Sequence, residues 1–113
     1  MLYLTIGLLA LAAIIGIIIL KNWMTSANTS RGVVYAHGIF AAAGLIVLVI
    51  YALQNPANYP QISIILFVVG ALGGFYMFAQ DLKKKNSPIW LAIIHALLAV
   101  SGFLFLLFFV FGK

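Results

Sequence analysis

HGIFAAAGL spans residues 37–45 and HALLAVSGF spans residues 95–103. Each stretch sets a histidine in a long apolar run and follows it with a glycine seven residues later. His37 and His95 are the chain's two histidines, and they stand 58 positions apart. Shifting the sequence by those 58 positions lays residues 1–55 on residues 59–113 without a gap. Ala13 then meets Ala71, Gly16 meets Gly74, Asn28 meets Asn86, Ala41 meets Ala99, Gly44 meets Gly102 and Leu48 meets Leu106. Identities number about nine of 55, which an apolar composition could partly supply. The match of the histidines, the glycines and the asparagine ahead of the helix predicts two tandem repeats, residues 1–55 and 59–113.

Outward from these stretches the chain is almost uncharged. It has 113 residues, of which 66% are hydrophobic and 6% charged, with a mean hydropathy of +1.26. A soluble domain carries about a quarter charged residues. Four apolar runs, roughly 2–20, 33–53, 62–80 and 89–111, are each about as long as a helix needs to cross a hydrocarbon core of about 30 Å. Lipid offers the backbone no hydrogen bonds, so these runs are expected as helices. Segments such as IIGIIIL and FLFLLFFVF lack the alternation of a β-barrel strand. The expected fold is an all-α membrane protein, a four-helix transmembrane bundle of two helical hairpins, in one domain over residues 1–113. The first run has no basic segment before it and is read as a helix of the mature protein, not a signal peptide.

Charge orders the ends. Lys21 and Arg31 flank the first loop, and Lys83, Lys84 and Lys85 stand with Asp81 in the third, whereas the second loop, QNPANYPQ, is uncharged. The positive-inside rule puts the basic loops in the cytoplasm and both termini outside, with a bacterial inner membrane as the expected location. Trp23 and Trp90 lie on the basic side, and Tyr3, Tyr51 and Tyr59 on the other, as interfacial aromatics do. The net charge of +5 therefore reports topology rather than nucleic-acid binding.

Parallel repeats make the second and fourth helices equivalent, so His37 and His95 are expected to face one another at one depth. Imidazole is a standard axial ligand of haem iron, and two of them could clamp one haem b. Gly44 and Gly102 would let the flat macrocycle approach the backbone, with Gly16 and Gly74 doing so from the sides. Arg31 and Lys83, with Lys21, Lys84 and Lys85, would meet the propionates. The cofactor could also sit between two copies of the chain, as a homodimer. Against this stands a bland alternative. Membrane histidines often only join helices, and small-xxx-small patterns usually pack them. No cysteine is available, four zinc ligands cannot be assembled, and a serine–histidine–acid set has no buried acid.

Residues 37–53 resemble the haem-binding helix of cytochrome b561-type proteins, and KKKNSPIWLAIIHALLAVSGFLFLL resembles that family's helix with lysine followed by histidine. The resemblance implies a four-helix core with haem b ligands on alternate helices, here His37 and His95. It further implies electron transfer from quinol, ascorbate or a similar donor. The family usually has four histidines, two haems and a proline after the first histidine; here there are two histidines, and Gly38 holds the proline's place. A single-haem form is what the resemblance then implies, exchanging electrons with a quinol, superoxide or a partner subunit. The outline is also similar to small multidrug-resistance transporters, but helix 1 lacks their embedded glutamate. A non-catalytic scaffold or a small proton-coupled transporter remains the alternative.

Overall fold

The computed structural model describes residues 1–112. The chain forms four helices: α1 (Leu2–Met24), α2 (Arg31–Gln54), α3 (Gln61–Leu82) and α4 (Ile89–Phe111). All four are long and apolar enough to cross a membrane. The helices outlast the apolar runs wherever nothing stops them. In α1 the helix carries on through Lys21 and Trp23 and ends at Thr25, whose hydroxyl donates back to the Lys21 carbonyl at 2.9 Å. Ser30 caps α2, its hydroxyl accepting from the Val33 N–H at 3.3 Å. Pro60 and Pro88 precede α3 and α4 as their N-caps, where a missing N–H costs nothing. In the two basic loops the chain passes through left-handed backbone at Ser26 (φ 59°) and Lys84 (φ 57°), positions that are also 58 apart.

α1 packs along α2, and α3 along α4. The two pairs meet through α1 with α4 and, more thinly, through α2 with α3. The diagonal pairs make no such contact, so α2 and α4 stand opposite each other across the centre. The result is an elongated body of 44 × 23 × 22 Å.

The interior is small and lies mostly toward the end away from the basic loops. Leu48 and Leu106 are fully buried at its centre, with Leu9 beside them. Thr5 and Ser63 are buried in the same half. On the side of the histidines nearer the basic loops, Ala92 is the one helical residue classed as buried among the described residues. Large apolar side chains face outward instead, including Ile17, Leu53, Phe75 and Phe108. Such a surface would associate in water, whereas hydrocarbon accepts it at no cost, so the chain is suited to being embedded in a membrane.

Leu106→Ala should therefore lower stability by about 2–5 kcal/mol, because it empties a filled core position. Leu104→Ala, at a side chain that is 59% exposed, should cost little. Unfolding titrations of the two variants in one detergent measure the difference.

Candidate functional site

The histidines lie on the diagonal helices and bridge the gap between them. The His37 and His95 ring centroids are 6.2 Å apart, with the ring planes at 74°. Each ring is also tied to the other helix of its own hairpin. Nδ1 of His37 lies 2.8 Å from the Ala12 carbonyl oxygen, and Nδ1 of His95 lies 2.7 Å from that of Gly70. Both bonds span 25 residues of sequence.

Glycine makes room for the rings. A Cβ at Gly16 would sit 2.9 Å from Cε1 of His37, and a Cβ at Gly74 would sit 3.1 Å from Cε1 of His95. Gly16 and Gly74 thus receive the imidazoles themselves. Gly44 and Gly102, expected from the sequence to admit a macrocycle, have that face filled by protein. A Cβ at Gly44 would lie 2.7 Å from Cδ2 of Leu9, and one at Gly102 would lie 2.9 Å from Cε1 of Phe67. Leu9 and Phe67 occupy the space because the hairpins close tightly in the half that holds the core. The pairs Leu9–Gly44 and Phe67–Gly102 are related by the same 58-residue offset as the histidines.

At the basic end Arg31 approaches Asp81 at 3.9 Å, joining the start of α2 to the end of α3. Tyr35 of α2 meets Phe78 of α3 edge-on, with centroids 5.7 Å apart. Lys83 lies at the C-terminal cap of α3, at this same end.

Haem would need two nitrogen ligands from the protein, and His37 and His95 are the two imidazoles that meet across the bundle. The packed core stops at the histidines, and glycines flank both rings. A metal ion held by protein alone would want more: no group of three or more His, Cys, Asp or Glu that could hold one exists among the described residues.

Two features escaped the sequence reading. The Ala12 and Gly70 carbonyls are backbone acceptors and leave no mark in side-chain chemistry; the spacing of 25, repeated in both halves, was the available signal. The buried hydroxyls of Ser63 and Ser87 lack hydrogen-bond partners, and only the fold could disclose that. No protein-family model, no curated protein and no solved structure matches the chain. Any function must therefore be argued from the histidines and their surroundings.

Arg31 and Asp81 are both about half exposed, so their attraction is weak and screened. A double-mutant cycle of Arg31→Ala and Asp81→Ala should return a coupling of about 0.2–1 kcal/mol that shrinks as salt is added.

Proposed function

We propose that the protein is a b-type cytochrome, embedded in the membrane and carrying electrons within it. One haem b is held between α2 and α4, with His37 and His95 as its axial ligands. The observation that carries this reading is the facing pair of imidazoles, 6.2 Å apart across the diagonal of the bundle. Cores of helical bundles hold cofactors through side chains on facing helices in this manner. Haem supplies the one-electron chemistry; the chain supplies binding, orientation and the exclusion of water. Gly16 and Gly74 seat the ligand rings, and Arg31, Lys83 and the neighbouring lysines lie at the end where propionates would emerge. A quinol, superoxide or a redox subunit is the class of electron partner.

The same reading places the basic loops in the cytoplasm of a bacterial cell and both termini outside. Its support is the contrast between Lys21, Arg31 and Lys83–Lys85 at one end and the uncharged loop 55–60 at the other.

An absorption spectrum of the detergent-purified protein, oxidised and then reduced with dithionite, tests the haem. A Soret band with sharp reduced α and β bands is expected, lost in His37→Ala and in His95→Ala. A colourless protein from cells supplied with haem precursor would overturn the reading and favour a scaffold role for the two histidines.

Topology is measured separately. The chain has no cysteine, so Lys84→Cys and Asn58→Cys each introduce a single label site. An impermeant thiol reagent applied to intact cells should reach position 58 and not position 84.

A further inference from the structure

We infer that the Ala12 and Gly70 carbonyls are positioning groups. They hold each histidine as the Nδ1–H tautomer and leave Nε2 unprotonated as the metal-binding nitrogen. The link to a metal rests on the haem reading above; the tautomer does not.

The first step is hydrogen-bond bookkeeping. A carbonyl oxygen can only accept, so at 2.8 and 2.7 Å the hydrogen must reside on Nδ1 of each ring. A neutral imidazole carries one such hydrogen. Nε2 is then a bare lone pair on both histidines.

The second step explains the glycines. Within a helix the carbonyl of residue 12 accepts from the N–H of residue 16, and that of residue 70 from residue 74. Gly16 and Gly74 therefore stand at the acceptors that the imidazoles share. A methyl group at Gly16 would collide with the ring of His37, at 2.9 Å from Cε1 and 3.2 Å from Nδ1, and one at Gly74 would press more gently on His95, at 3.1 Å from Cε1 and 3.6 Å from Nδ1. At Gly44 and Gly102 an added methyl would meet Leu9 and Phe67 instead, so only Gly16 and Gly74 face an imidazole. Gly7, Gly32, Gly38 and Gly73 have nothing within 4 Å of an added Cβ. Glycine thus opens the ring's path to the carbonyl in each hairpin, strictly at Gly16 and less so at Gly74.

The third step is chemical. Metal-bound histidines donate their other N–H to a carbonyl or carboxylate, which fixes ring orientation and raises the basicity of the ligating nitrogen. Both histidines here have that arrangement already built into their own hairpin. Each hairpin thus holds one histidine by Nδ1 and leaves its Nε2 free of that carbonyl, and the two rings meet across the bundle at 6.2 Å.

The test reads the imidazoles directly, in the full chain in detergent without haem. Long-range ¹H–¹⁵N correlation spectra of ¹⁵N-histidine protein, recorded above the usual imidazole pKa, report which nitrogen is protonated. The Nδ1–H form is expected for both residues. Gly16→Ala should abolish that signature for His37 and leave His95 unchanged. Gly74→Ala should do the converse, with a smaller effect because its clash is milder. Gly73→Ala should alter neither. Nε2–H tautomers in the unmodified protein would overturn the inference, and that measurement stands even if a variant fails to fold. So would a Gly16→Ala protein whose His37 keeps its Nδ1–H signature. Where haem binds, Gly16→Ala should weaken its retention about 10- to 100-fold. If no haem binds and the tautomers are as expected, the positioning groups stand and the haem reading falls.

Discussion

A hydrogen bond between a histidine ring and a backbone carbonyl of the neighbouring helix governs how this bundle is organised. Its contribution to stability is small, since interhelical hydrogen bonds in membranes average about 0.6 kcal/mol. Its contribution to orientation is large. Leaving a ring N–H unsatisfied in an apolar interior costs more than the bond yields, so the ring is held where the carbonyl is. Two missing methyl groups, at Gly16 and Gly74, make the approach possible. Once both rings are docked on their own hairpins, bringing the hairpins together sets one edge-on to the other at 6.2 Å.

Much of this was legible in the sequence, for physical reasons. Lipid forces every spanning segment to satisfy its own backbone, so hydropathy alone gives the number of helices and nearly their limits. The offset of 58 residues carried the facing of His37 and His95, because equivalent positions in parallel repeats fall at equivalent heights. At Gly44 and Gly102 the structure adds what the sequence leaves open. A glycine on a helix face advertises space but does not say what enters it; Leu9 and Phe67 do. The carbonyl acceptors could not be read at all from side chains, since every residue has one.

The two halves part company at their polar details. Thr5 and Ser63 occupy equivalent buried positions, yet the Thr5 hydroxyl donates to the Met1 carbonyl at 3.1 Å while Ser63 has no partner. Pro60 accounts for this: its ψ of 77° takes the chain off the helical path. The Tyr59 carbonyl, four residues before Ser63, instead accepts from the Gln61 N–H at 2.9 Å. At the basic end Asn22 donates to Thr29 at 3.1 Å, but Gln80, its equivalent, turns to the Tyr76 hydroxyl and leaves Ser87 alone. Both unsatisfied hydroxyls belong to the second half. The 58-residue correspondence thus relates the histidine bonds and the contacts at Gly44 and Gly102, but neither the seams between the hairpins nor the hydroxyl network.

The thin seam between α2 and α3 bears on biogenesis. Each hairpin docks its imidazole on a carbonyl of its own, so neither bond needs the other hairpin. Insertion can then proceed as two self-sufficient steps, each burying its polar ring without help from the other. What lateral association adds is the contact of ring with ring, so assembly of the two hairpins can be followed apart from the insertion of either.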